Sequence, residues 1–212
     1  MLPVAGIIFG LFWVIYLEIL SALKLSSILR GFIMTVLTLT LTGGLHLDGL
    51  MDTSDAIFSH RDRETKLKIL SDTHAGSFAV MSCVILIMAK TLLFSELFTL
   101  NADYFALSSI PLFSRLGMGI LLTNLPFAKN DGLAVMMGAA RKHSDNFGFA
   151  VIFLLMSLMN LNAVPIAFIL SLIVHVIICR RIFGGITGDL LGAFVETSEV
   201  IMLTGTVIET CI

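Results

Sequence analysis

Charge is what this sequence has least of. Only 13% of its 212 residues are Asp, Glu, Lys or Arg, about half the 25% usual in soluble domains. That excludes an ordinary water-exposed surface. The net charge of −2 indicates neither a nucleic-acid partner nor a polybasic surface anchor. Cysteine is scarce as well. Cys83, Cys179 and Cys211 lie far apart, in or beside apolar runs. No two have metal-ligand spacing, and each reads as a small core residue. The first apolar run, from Leu2, lacks the basic leader and small-residue cleavage site of a signal peptide, so it reads as a true span.

Apolar residues fill the chain instead, at 57%. Several runs approach the ~20 residues that cross a bilayer core. Seven helices are predicted, at about 2–20, 28–45, 76–94, 104–124, 147–161, 163–179 and 190–208. The fifth and sixth are short and separated by "NLNAVP", which reads as the turn of a hairpin at Pro165. The last is interrupted by Glu196 and Glu199. The expected fold is all-α, a polytopic transmembrane bundle of about seven spans forming a single domain over residues 1–212.

Positive charge orients such a bundle. Arg61, Arg63, Lys66 and Lys68 follow helix two, Lys129, Arg141 and Lys142 follow helix four, and Arg180 and Arg181 follow helix six. The opposite loops hold only Lys24 and Arg30, while Lys90 and Arg115 lie within spans. The N-terminus and the loops after the even-numbered helices are therefore expected on the cytoplasmic side.

One of those loops carries "GGLHLDGLMDTSD", residues 43–55. At about 100° per residue, Asp48, Asp52 and Asp55 fall within roughly 60° of one another on a helix. Carboxylates so close repel, and a low-dielectric setting makes the repulsion costly unless a cation compensates. Hard oxygen ligands suit Mg²⁺ or Mn²⁺, which keep some waters and bind substrate phosphates. The competing reading is a solvated acidic helix end, but Leu47, Leu50, Met51 and Ile57 leave little room for a wet helix. Further on, Arg61, Arg63, Lys66 and Lys68 alternate with Asp62 and Glu64 in an amphipathic interfacial stretch. Asp72, just before the third span, reads either as a site carboxylate or as a helix N-cap.

A second acidic face lies in "GGITGDLLGAFVETSE", residues 184–199. Asp189, Glu196 and Glu199 share one side of the last helix, within roughly 80°. Gly184, Gly185 and Gly188 allow a tight turn with exposed amides, suited to an anion. Glu196 reads as a metal ligand or as a helix-packing hydrogen bond. Arg115, inside the fourth span, is expected to meet a carboxylate or a polar cavity. Lys129 reads either as a phosphate contact or as a topology charge. His175 reads as packing. The two clusters are expected to share one cytoplasmic site, with the carboxylates of Asp52 and Glu196 within roughly 10 Å.

Three stretches, "GGLHLDGLMDTSDAIFS", "SDTHAGSFAV" and "GGITGDLLGAFVETSEV", resemble the signature blocks of the cobalamin synthase (adenosylcobinamide-GDP ribazoletransferase) family. "PVAGIIFG" and "SRLG…LPFAKNDGLA" resemble its less specific blocks, so the likeness covers nearly the whole chain. It differs from the family in starting its Pro-x-x-Gly block at Pro3 and in reading "GLA" at 132–134. The resemblance implies a Mg²⁺-dependent inner-membrane enzyme at the last step of the B12 nucleotide loop. Such an enzyme joins adenosylcobinamide-GDP to α-ribazole or its 5′-phosphate and releases GMP. It carries over His46, Asp48, Asp52, Asp55, Asp72, Arg115, Gly184, Gly185, Gly188, Asp189 and Glu196 as site residues. Among these His46, Asp48, Asp52, Asp55 and Asp189 are assigned to catalysis. Asp48, Asp52, Asp55, Asp72 and Glu196 are assigned to metal. Arg115 and the three glycines, with Lys129, are assigned to phosphate. His46 lies roughly 200° from Asp48 on an ideal helix, so it joins the site only if the helix starts after it. Two other classes stay open, a CDP-alcohol phosphotransferase-like enzyme and a cation-coupled transporter, as does oligomerisation.

Overall fold

The computed structural model describes residues 2–100, 102–139, 142, 144–159 and 163–212. Among the described residues there are ten α-helices: α1 (Leu2–Ala22), α2 (Ser27–Leu41), α3 (Leu45–Phe58), α4 (Arg63–Ile69), α5 (Ser77–Leu100), α6 (Tyr104–Asn124), α7 (Leu133–Gly138), α8 (Asp145–Met159), α9 (Ala163–Ile178) and α10 (Gly188–Cys211). A π-helical turn, Cys179–Phe183, prolongs α9.

Five of these are long and apolar enough to cross a membrane: α1, α5, α6, α9 with its π turn, and α10. The pair α2–α3 passes the same test only as one broken span, and α8 is shorter, at 15 residues. About seven spans is therefore compatible with the fold. The link of the expected hairpin, residues 160–162, lies outside the described residues. Pro165 stands in the first turn of α9, where its missing N–H leaves no helical bond unmade.

The predicted second helix, 28–45, is broken. After Leu41 the chain passes through Gly43 and Gly44, both with positive φ (62° and 75°), a left-handed region that glycine enters without penalty. The axis then turns by 91° into α3. So α2 runs along the bundle beside α5, and α3 lies across the bundle's end, against α10 and α5.

α6 is the central helix, buried along nearly its whole length. α1 lies on it through Gly6 and Gly10. A Cβ at Gly6 would stand 2.7 Å from the Leu112 Cα, so this small-x-x-x-small pair brings the two backbones into contact. α1 and α5 turn many large apolar side chains outward, among them Leu11, Ile15, Ile85 and Met88, as helices facing lipid do. Cys179 is buried as expected, but Cys211 is exposed near the end of α10.

Candidate active site

The site forms where α3 crosses the first turn of α10. Gly49 makes the crossing close, since a Cβ there would stand 2.7 Å from the Asp189 carbonyl oxygen and 3.0 Å from its Cα. One turn on, Gly192 gives the same room to His46. Thr187 caps α10, its Oγ1 accepting from the Leu190 amide at 3.3 Å. The strand-like segment before it is stapled to the loop after α6. The Ile186 amide donates to the Pro126 carbonyl at 2.8 Å, and the Ala128 amide to the Ile186 carbonyl at 2.9 Å.

These contacts enclose a cavity of about 370 Å³. α3 contributes His46 and Asp48, and α10 contributes Gly188 and Asp189 after Thr187. Ser71, Lys129 and Asp131 come from the intervening loops. Three segments expected on one side of the membrane, those after helices two, four and six, thus meet around one space. The Lys129 Nζ donates to the Ser71 Oγ at 2.5 Å, which holds the ammonium at the cavity wall.

Negative charge is crowded here. Asp52, one turn beyond Asp48, is pushed up to about 6 by burial and then by the charges of Asp48, Asp189 and Asp55, with Lys129 opposing. One lysine against that many carboxylates leaves a deficit of positive charge. Among the described residues, no three His, Cys, Asp or Glu side chains stand close enough to hold a metal ion between them. The arrangement is a pair of facing acidic edges rather than a closed cage.

Several expected site residues have other work. Asp55 accepts the amide hydrogens of Gly76 at 2.6 Å and Ala79 at 2.9 Å. It caps α5 from a neighbouring helix, the role the sequence offered to Asp72. Asp72 is exposed and accepts from the His74 amide and ring, which holds its carboxyl below the usual range. Gly184 ends the π turn at φ 71° and lies against the Arg63 guanidinium. Gly185 is buried beside Pro126 and donates its amide to the Cys179 carbonyl at 2.9 Å. Of the three glycines, only Gly188 lines the cavity.

The two acidic clusters meet through Asp189, not through Glu196. Glu196 lies seven residues farther along α10, about 10 Å of rise, and its carboxylate is held by Lys90 at 2.5 Å. Lys90 also reaches Glu199 at 2.8 Å, and Glu199 in turn takes Arg115 at 2.5 Å. Arg115 has thus found a carboxylate inside the bundle, its guanidinium over the Phe9 ring. His46 and Asp48 both line the cavity although α3 begins at Leu45. At a helix's first turn, two sides of the axis can border one space. His175 packs edge-on against Phe194, as read from the sequence.

Lys90 and Ser71 were not singled out from the sequence, and Glu199 was read only as part of the second acidic face. Lys90 carried a usable signal, as a lone lysine in an apolar span demands a buried partner. Ser71 carried none.

The sequence profile of a family described as cobalamin-5-phosphate synthase matches residues 1–207. The adenosylcobinamide-GDP ribazoletransferase of Geobacillus sp. (strain WCH70) is 35% identical over 93% of this chain and 79% of its own length. That of Clostridium perfringens (strain SM101 / Type A) is 31% identical over 93% and 81%, and that of Bradyrhizobium diazoefficiens 34% over 95% and 79%. No solved structure matches the chain significantly.

Proposed function

The chain belongs to the cobalamin-5-phosphate synthase family, and from that premise we propose that it joins adenosylcobinamide-GDP to α-ribazole or its 5′-phosphate and releases GMP. The observation that carries this reading is the single cavity between α3 and α10, where Asp48 and Asp189 face Lys129 beside the first turn of α10. The family match sets aside the CDP-alcohol phosphotransferase and transporter readings.

Mg²⁺ suits the residues present. The donors are hard carboxylate oxygens, and the excess of negative charge around Asp52 calls for a cation. Mg²⁺ commonly takes one or two carboxylates and fills its remaining positions with water and substrate phosphate, so facing acidic edges without a closed cage fit it. Asp48 and Asp189, with Asp52 behind them, would hold it. When bound, the ion supplies neutralisation of charge on the diphosphate.

The chain's own residues then have few tasks. Lys129 and the first amides of α10 bind the diphosphate, the helix end favouring negative charge. Either His46 or Asp48 accepts the proton of the attacking ribazole hydroxyl. Positioning of two bound substrates supplies the rest of the acceleration. The excess of basic residues in the loops around the cavity supports a multi-pass protein of the cell's inner membrane with its site on the cytoplasmic face.

The test mixes purified protein with both substrates and Mg²⁺. GMP release that stops on chelation is expected. CMP release from a CDP-alcohol, or cation flux in liposomes without GMP release, overturns the reading.

A further inference from the structure

Beneath the cavity lies a cluster of four buried charges. Lys90 comes from α5, Arg115 from α6, and Glu196 and Glu199 from α10. All four are fully or nearly buried. Two positive and two negative charges cancel, and each carboxylate has at least one cation at hydrogen-bond distance. The Ser114 Oγ adds a bond to Glu199 at 3.2 Å.

The geometry fixes more than a contact. Glu196 and Glu199 are three residues apart on α10, and one ammonium grips both, while Arg115 holds Glu199 from the other side. A helix held so cannot turn about its own axis without breaking a buried ion pair. Asp189 lies roughly 20° from Glu196 around that axis, so fixing Glu196 fixes the direction in which Asp189 is presented. α5 supplies the reference for α3 as well, because Asp55 on α3 is bonded to the first amides of α5. Both acidic edges of the cavity are therefore registered to the same helix, Asp48 through Asp55 and Asp189 through Lys90.

We infer that Lys90 is a positioning residue, which through Glu196 and Glu199 sets the separation of Asp48 and Asp189 across the cavity and so the site's hold on the divalent ion and diphosphate. This rests on the proposed diphosphate cavity. It extends that reading to a residue that touches neither substrate.

Two variants of the full chain, in detergent or liposomes, test it. Lys90→Met leaves a net negative cluster. Lys90→Met combined with Glu196→Gln removes one charge of each sign and leaves the Arg115–Glu199 pair. The readouts are Mn²⁺ binding in the presence of GDP, followed by electron paramagnetic resonance, and the Mg²⁺ activation constant for GMP release. The KM for α-ribazole serves as the internal reference. The single variant should weaken Mn²⁺ binding and raise the Mg²⁺ constant about tenfold with the α-ribazole KM unchanged. The double variant restores the charge balance but not the grip, so it should stay within about threefold of the single variant rather than recover. Wild-type metal parameters in a folded single variant overturn the inference, as does a folded double variant that recovers, since unbalanced charge rather than lost positioning would then explain the single variant. If only the double variant folds, its metal parameters alone decide. Failure of both to fold also overturns it, since the cluster would then serve assembly. Wild-type protein that releases no GMP would instead defeat the underlying reading, which keeps the two failures distinct.

Discussion

The carboxylate of Asp55 on α3 accepts the amide hydrogen of Gly76, twenty-one residues on, at 2.6 Å. The fit is tight, as a Cβ on Gly76 would stand 2.7 Å from both carboxylate oxygens. With the second bond to Ala79, this carboxylate satisfies amides that the start of α5 would otherwise leave without partners. It also ties the crossing helix to a membrane-spanning one.

Asp55 is therefore expected to matter for stability more than for chemistry. Asp55→Ala should lower unfolding stability by about 1–2 kcal/mol, the usual worth of a helix cap. Turnover per folded molecule at saturating Mg²⁺ should stay within about threefold of wild type, the loosened registration of Asp48 raising the Mg²⁺ activation constant instead. Thermal unfolding in detergent and single-point turnover measure the two. A folded variant with turnover down about a hundredfold would return Asp55 to the ligand set.

Asp189 carries the opposite expectation. It lines the cavity and faces the α3 aspartates. Asp189→Asn keeps its size and removes its charge. A loss of about 10²-fold or more in turnover is expected, some 2.7 kcal/mol of barrier, with unfolding unchanged. Near-wild-type turnover in folded protein would take Asp189 out of the site.

Much of this was legible from residue types and spacing. The all-helical bundle followed from long apolar runs. The α3 aspartates and Asp189 followed from carboxylates placed where lipid or packing should exclude them. What stayed hidden was pairing. Glu196 on α10 offered itself to a metal or to a hydroxyl, and nothing local named Lys90 as its partner across 106 residues. Asp72 was the candidate for capping α5, and only the 91° turn at Gly43–Gly44 brings Asp55 to it instead. That turn was itself masked by an apolar run reading straight through two glycines.

Orientation is open to a direct check. The loops around the cavity hold most of the basic residues, which predicts their retention on the cytoplasmic side. In chains freed of Cys83, Cys179 and Cys211, single cysteines at Ser59 and Ser144 should resist membrane-impermeant maleimide in intact cells. Both should label after permeabilisation. Ready labelling of both in intact cells would reverse the topology.

The contact at Gly49 gives the sharpest link between packing and catalysis. A Cβ there meets the Asp189 backbone, 2.7 Å from its carbonyl oxygen and 3.0 Å from its Cα. Backbone atoms in a helix cannot rotate away as a flexible side chain does, so Gly49→Ala forces α3 and α10 apart. Overpacking of this kind costs about 1–3 kcal/mol. The displacement falls on the two helices that carry Asp48 and Asp189, so turnover should fall more than stability does, by about tenfold or beyond, since misplacement by even 1 Å is costly in a positioned reaction. Gly148 on α8 is the matched control. A Cβ there meets nothing within 4 Å, and alanine suits a helix interior better by roughly 0.5–1 kcal/mol. Gly148→Ala should leave turnover unchanged and unfolding unchanged or slightly raised. If Gly49→Ala matches Gly148→Ala in both measurements, the crossing of α3 and α10 does not set the geometry of the site.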